Sequence, residues 1–441
     1  MELDPLILSR IQFALNISFH IIFPSFTIGL AAWLAVLDGM SLVTARSIYR
    51  RLFDFWLRVF VLAFGMGVVT GIIMALQFGT NWSVLADRGG SIQGPLLGYE
   101  AFTAFMLEAT FIGVVLFGRN RVPPWAYLFS CIMVALGTTL SAFWIMVNNS
   151  WMQVPVGHVV VDGRFVPNDW REIVFGEVVH VRFVHMLLAA YLTTAFCIAA
   201  TAAIYALRGR YHAESLVMLR MSLGLAAILI PIQILYGHWN GDYVHEHQPA
   251  KFAAIEARWH TEQPASEVLI AIPDPEEGRN RYALEIPRLG SFVASGTWDS
   301  REIGLDSFPE ADRPPVLIPF FGFRVMVGMS LIMLFLSWPG YYLCVRERIL
   351  KARWFLWLTA FSFPTGFIAV LSGWFVAEVG RQPWVIYGLL RTSEALTPTL
   401  SGPEVLFSLI AYLLAYLVIA GGGFVYIFRL LRVGPDGGIR Q

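Results

Sequence analysis

Among the ionisable side chains inside long apolar runs of this chain are His20, Glu100, Glu108, Arg182, His185 and Arg324; Glu378 closes another run. Such groups are costly in lipid, so they mark function before they mark structure. Met326 sits two residues beyond Arg324. Two imidazoles, a thioether and a carboxylate, with no thiolate among them, are a ligand set that haem iron accepts. A His/Met pair holds six-coordinate iron, and a single ligand leaves a position open for O2. A His185–Met326 pair with separate sites at His20 and Glu378 would suit three haems. Arg10, Arg182, Arg324 and Arg381 fall near the same depth, and their planar guanidiniums match propionate carboxylates. Cys131, Cys197 and Cys344 are well separated in apolar runs, and no CxxC or CxxCH occurs. They read as small buried apolar residues, and covalent haem attachment is not indicated.

The elements that must position these groups follow from composition. Of 441 residues, 57% are hydrophobic and 14% charged, and the mean hydropathy is +0.62. Soluble domains carry about 25% charged residues. Nine apolar runs, at 11–38, 54–79, 95–117, 124–149, 178–207, 216–239, 318–343, 355–378 and 404–429, are long enough to cross the ~30 Å hydrocarbon layer as helices. The first is preceded by Glu2 and Asp4 in place of a basic patch, which argues for a retained span over a cleaved signal. Arginines and a lysine follow spans one, three, five and seven (Arg46, Arg50 and Arg51; Arg119 and Arg121; Arg208 and Arg210; Arg346, Arg348, Lys351 and Arg353), and the tail adds Arg429, Arg432 and Arg440. This bias puts the N-terminus outside and the C-terminus in the cytoplasm. The expected fold is an all-α integral membrane protein of about nine transmembrane helices. Residues 1–239 would form six of them, 240–317 an extracytoplasmic loop, and 318–441 three more with a short tail. Within the loop, 249–262 has helical spacing, with Phe252, Ile255 and Trp259 on one stripe.

At 1.5 Å per residue, His20, His185 and Met326 each lie about nine residues, or roughly 13 Å, below the outer boundary. Glu378 reaches the same face from the opposite direction, Glu100 lies one turn below it, and Glu108 two turns deeper. Taken singly, each residue has a plainer reading: an imidazole bonding a neighbouring helix, a methionine packing, or carboxylates relaying protons without haem. Their convergence at one depth favours a shared site. The chain has nine histidines and no His-His pair, which fits haem–copper oxidases poorly. His247 and His260 have the spacing of cytochrome b haem pairs but lie in the polar loop. No phosphate-binding glycine motif or basic nucleic-acid footprint occurs. A proton- or cation-coupled transporter using Glu100, Glu108 and Glu378 and a non-catalytic haem-binding membrane protein are the competing functions.

The stretches SRIQFALNISFH (9–20), QFGTNWS (77–83), SAFWIMVNNSWMQVP (141–155), RFVHM (182–186), KFAAIEARW (251–259), FRVMVG (323–328) and GWFVAEVGRQPW (373–384) resemble, in order, subunit I of cytochrome bd-type quinol oxidases. The resemblance implies an enzyme that oxidises ubiquinol or menaquinol at the outer face and reduces O2 to water, building a proton-motive force without a pump. It implies His185 and Met326 as ligands of haem b558. It implies His20 and Glu378 as anchors of haem b595 and haem d (or a third haem b), without saying which holds which. Glu100 would lie beside that pair and Trp374 between haems, Glu108 and Ser141 would deliver protons, and Lys251 and Glu256 would bind quinol in the Q-loop. A second large membrane subunit (subunit II), and in some assemblies a small single-span subunit, would be partners in the bacterial cytoplasmic (inner) membrane. The loop is of the short form. Gly278 stands where the long form carries an additional acidic residue, leaving Glu276 and Glu277 as nearby replacements, and EHQPAK (246–251) is closer to the cyanide-insensitive branch.

Overall fold

The computed structural model describes residues 3–435; Glu2 and Arg440 lie outside them. Among the described residues, nine helical stretches are long and apolar enough to cross a membrane. In chain order the helices are α1 (Pro5–Thr44), α2 (Ser47–Thr80), α3 (Ser83–Tyr99), α4 (Met106–Phe117), α5 (Pro124–Gln153), α6 (Trp170–Phe175) and α7 (Glu177–Leu207). There follow α8 (His212–His247), α9 (Pro249–Ile255), α10 (Leu289–Ser295), α11 (Leu317–Val345), α12 (Arg353–Phe361), α13 (Thr365–Val379) and α14 (Gly402–Val433). The third span is α3 and α4 joined by a π-helical turn at Glu100–Phe105, and the eighth is α12 and α13.

Local chemistry fixes the ends. Asp4 caps α1, its Oδ1 accepting from the Leu6 N–H at 2.8 Å, with Pro5 at the first helical position. Ser401 and Glu404 form a capping box at the start of α14. The helices outrun the apolar segments: α1 has 40 residues, about twice what the hydrocarbon layer requires. Likewise α8 continues through His247, so the polar connection begins after 247 and not at 240.

α7 is the axis of the bundle. Its apolar window is 78% buried, against 11% for the peripheral α14. Small residues make that possible. A Cβ on Gly29 of α1 would come within 2.4 Å of Thr194 Oγ1, and one on Gly366 of α13 within 2.6 Å of Thr193 Cα. Both helices therefore approach α7 backbone-close, which draws His20, His185 and Glu378 around one axis.

Three two-stranded antiparallel sheets supplement the helices: β1 (His158–Val161) with β2 (Arg164–Pro167), β3 (Glu267–Asp274) with β4 (Arg279–Ile286), and β5 (Trp384–Ile386) with β6 (Leu390–Arg391). The sequence reading had not anticipated them. The long loop has its own core, built from Ala253, Ala254, Ala257, Val268, Ala271, Leu305 and Val316 against Phe320 of α11. Its helix is shorter than the 249–262 stripe suggests. It stops at Ile255 because Ala257 adopts φ +48°, a left-handed conformation that turns the chain before Trp259.

Candidate functional site

A cavity of about 1350 Å³ occupies the half of the bundle nearest the long loop. Nearly every residue singled out in the sequence lines it: His20, His185, Met326, Trp374 and Glu378; Glu100, Glu108 and Ser141; Arg10, Arg182 and Arg381; and Lys251 and Glu256. Arg324 does not. Positions two apart on a helix point about 200° from one another, so with Met326 facing the cavity Arg324 faces away. Its guanidinium donates to the carbonyls of Ile255 (2.7 Å) and Val268 and to Glu256 Oε2 (3.1 Å), and lies 3.7 Å from the Phe320 ring centroid. It anchors the loop. By contrast, Arg182 and His185, three apart, share a face.

His20 is held by Thr70 of α2 at 2.9 Å, through Nδ1. The Thr70 hydroxyl is itself within bonding distance of the Met66 and Gly67 carbonyls (2.9 and 3.0 Å). Its proton goes there, so His20 Nδ1–H must donate, and Nε2 carries the free lone pair. Orientation of a ligating imidazole by an outer hydrogen bond is how metal-binding histidines are usually fixed. His185 has Nε2 3.4 Å from the Gln233 amide, while its buried Nδ1 has no partner among the described residues. A glycine faces each of the three neutral candidates. A Cβ at Gly71 would lie 3.2 Å from His20 Cε1, one at Gly237 3.3 Å from His185 Cε1, and one at Gly373 2.9 Å from Met326 Sδ.

Glu378 is the anionic centre of a buried network. Its Oε1 accepts from Asn149 Nδ2 (2.9 Å) and Gln153 Nε2 (3.1 Å), and its Oε2 pairs with Arg381. That leaves roughly one of a carboxylate's four acceptor positions free. Arg182 donates to Asn149 Oδ1 (2.5 Å) and Ser150 Oγ (3.1 Å). Two guanidiniums, the buried Arg381 and the half-buried Arg182, thus face one carboxylate, and Arg381 Nε and Nη1 have no hydrogen-bond partner among the described residues. Buried cations without full compensation are expensive, so the cluster is built to receive further negative charge.

Toward the middle of the bundle, Ser141 Oγ donates to Glu100 Oε1 at 2.8 Å. The π-helical turn begins at Glu100 and Glu108 follows it, buried in α4. A π-turn inside an otherwise regular helix is frequently found at functional sites.

At the loop end, Lys251 is buried and ties α9 to the bundle, with Nζ donating to Gln153 Oε1 (3.1 Å) and the Ala377 carbonyl (3.0 Å). Burial, followed by the nearby Arg182 charge, pushes its ammonium well below its ordinary range, against the pull of Glu378. Glu276 and Glu277 are both exposed in the β3–β4 turn, and Glu277 pairs with Arg279 and Arg281. Gly278 holds φ +61° there, a conformation the turn demands of glycine. The carboxylate that does adjoin Glu256 is Glu267, which the sequence reading missed. Thr70 was missed as well, as were Asn149 and Gln153, although the last two fall inside the SAFWIMVNNSWMQVP stretch.

Among the described residues, no three His, Cys, Asp or Glu side chains are grouped to hold a bare metal ion. Single ligands dispersed around a roomy cavity instead suit a group that brings its own equatorial donors.

The family described as cytochrome bd terminal oxidase subunit I matches residues 8–435. The chain is 33% identical to cytochrome bd ubiquinol oxidase subunit 1 of Bacillus subtilis, over 98% of this chain and 95% of that protein. It is 32% identical to cytochrome bd-II ubiquinol oxidase subunit 1 of Escherichia coli, over 98% and 97%. Its fold superposes on the bd oxidase structure from Geobacillus thermodenitrificans with a TM-score of 0.91 and 30% identity, covering 98% of this chain and all of that one. The chain belongs to the family of cytochrome bd terminal oxidase subunits I.

Proposed function

We propose that this chain is the haem-bearing subunit of a quinol:oxygen oxidoreductase whose redox centres sit in the cavity and whose long loop, at the outer face, takes quinol. The observation that carries the reading is a single cavity holding two imidazoles, a thioether and a carboxylate beside surplus buried positive charge. Haem fits this on two counts. The unpartnered Arg381 nitrogens and Arg182 match propionates, and Gly71, Gly237 and Gly373 let the two imidazoles and the thioether lie close against neighbouring helices at the wall of a cavity of about 1350 Å³. His185 and Met326 would hold haem b558; His20 and Glu378 would each hold one of the high-spin pair, haem b595 and haem d or a third haem b. Arg10 would meet a propionate from the cavity rim. Family membership favours this reading over a transporter or a non-catalytic haem protein. It also implies subunit II as a partner in the bacterial cytoplasmic membrane, and the charge bias of the alternate loops favours an outer N-terminus.

Bound haem supplies one-electron transfer and the reduction of O2 to water. The rest falls to this chain. Glu256, on the cavity wall and held by Arg324, takes a proton from quinol and releases it outward. Lys251 fixes the loop against α5 and α13, so Glu256 is presented to the cavity. Glu108, Ser141 and Glu100 carry protons from the opposite face toward Glu378, and Trp374, on the cavity wall, would sit between haems.

Pyridine haemochrome analysis of the purified protein is the direct test: haem-free protein would refute the proposal. In Glu256→Gln, quinol-dependent O2 uptake is expected to fall by about 10²-fold or more, the scale of a lost general base, with haem content unchanged. Wild-type turnover would reject the role of Glu256. A subtler variant probes the haem b558 pair. Gly373→Ala would crowd Met326 Sδ at 2.9 Å and weaken the thioether bond. Because methionine ligation raises the potential, the low-spin midpoint should drop. Gly79→Ala, with open space around it, is the control and should leave that midpoint where it is.

A further inference from the structure

Behind Glu256, away from the cavity, stands Glu267 at the start of β3. Arg324 Nη2 bridges the two carboxylates, 3.1 Å from Glu256 Oε2 and 3.9 Å from Glu267 Oε1. One guanidinium thus holds both carboxyls, close enough that a proton on one can be shared with the other. The Glu256 side chain is 7% exposed and that of Glu267 14%. Glu256 lines the cavity and Glu267 does not. The pair therefore runs from the cavity wall toward the far surface of the loop. There the neighbouring Ser266 hydroxyl bonds Glu285 (3.0 Å) and lies 3.4 Å from Glu262, both exposed.

We propose that Glu267 is the proton-holding partner of Glu256, a positioning residue that receives each quinol proton from Glu256 and releases it to the outer side. The proposal rests on the reading of the loop end of the cavity as the quinol site. On oxidation to quinone, quinol gives up two protons and two electrons, and the electrons pass by way of haem to O2. Each quinol O–H bond breaks with its proton going to Glu256. A proton then leaves Glu267 for outer water, and the Glu256 proton crosses to Glu267, restoring the anionic Glu256. Two such cycles balance one quinol.

Electrostatics give the relay a direction. Burial and the adjacent Glu256 carboxylate raise Glu267 to about 8, opposed by Arg324 and Arg258. Near neutral pH Glu267 is therefore a member of the pair that keeps a proton. When Glu256 is neutralised from the cavity side, the repulsion that kept the Glu267 proton in place disappears, and that proton is freed. As pH rises through about 8, Glu267 empties and accepts from Glu256 without a prior release. Turnover limited by this relay should therefore climb across that range. The charged groups facing Glu267 are Glu256 and Arg258 from the segment after α9 and Arg324 from α11; across the hairpin its partner is the apolar Ile286.

The experiment uses the purified oxidase complex, with quinol-dependent O2 uptake followed from about pH 6 to about pH 9, corrected for non-enzymatic oxidation. In Glu267→Gln, kcat is expected to fall by about tenfold, less than the ~10²–10⁴-fold of a lost general base. KM and the haem spectrum should be unchanged, and the alkaline climb absent. Glu267→Asp should restore part of the climb. Independently of turnover, a protonated-carboxyl infrared band titrating near pH 8 should be present in the wild type and missing in Glu267→Gln. Wild-type kcat and an intact climb in Glu267→Gln would overturn the relay while leaving the quinol site standing. Wild-type turnover in Glu256→Gln would bring down the quinol reading itself. Should Glu267→Gln fail to assemble, Glu267→Asp and the wild-type infrared titration decide, and no titrating band would count against the proposal.

Discussion

In His185→Ala and in Met326→Leu, the six-coordinate low-spin haem signal is expected to vanish from the purified oxidase while the high-spin bands remain. Six-coordinate iron needs both axial ligands. Removing either opens a position and converts or releases that haem, without touching sites built on other helices. His185 projects from α7, the most buried span, and Met326 from α11; the cavity lies between them. Met326→Leu conserves volume closely, a substitution that well-packed interiors tolerate at under about 1.5 kcal/mol, so loss of the signal there would report ligation and not collapse. His180, on the same helix but exposed and outside the cavity lining, is the matched control, and His180→Ala should keep the full spectrum. A low-spin spectrum surviving in both ligand variants would sink the b558 assignment and with it the electron entry point.

How much of this was legible in the residues depends on which force places them. The nine spans follow from run length, because lipid leaves a polypeptide few ways to satisfy its backbone. The site residues were legible for a related reason: His20, His185, Glu108 and Glu378 are costly where they stand, and cost in lipid is visible in sequence. What failed to show was set by direction and not by composition. Arg324 is two residues from Met326, yet helical geometry turns it to the loop, where Glu256 and two carbonyls engage it. Glu267 carried no signal because it lies in a short strand of mixed exposure, and its meeting with Glu256 depends on the turn at Ala257. Thr70 was hidden because an orienting hydroxyl leaves no pattern; only its 2.9 Å contact with His20 exposes it.

Glu378→Gln should cost the protein both a high-spin haem and stability, and the two losses can be separated. The substitution keeps shape but removes the one carboxylate facing the half-buried Arg182 and the buried Arg381. Removing one partner of a buried ion pair typically costs about 3–5 kcal/mol, because the remaining charge is stranded. The thermal unfolding midpoint in detergent should fall accordingly. Pairing the change with Arg381→Gln removes one of the stranded cations, so the double variant should recover part of that midpoint, a coupling expected of groups in direct contact. It should not recover the haem: if Glu378 is an iron ligand, neutralising its neighbour cannot replace the carboxylate oxygen. Haem content measured on the single and double variants therefore distinguishes a ligand from a counter-ion. Full haem occupancy in the double variant would assign Glu378 to balancing Arg381 alone and leave His20 as the cavity's one high-spin anchor.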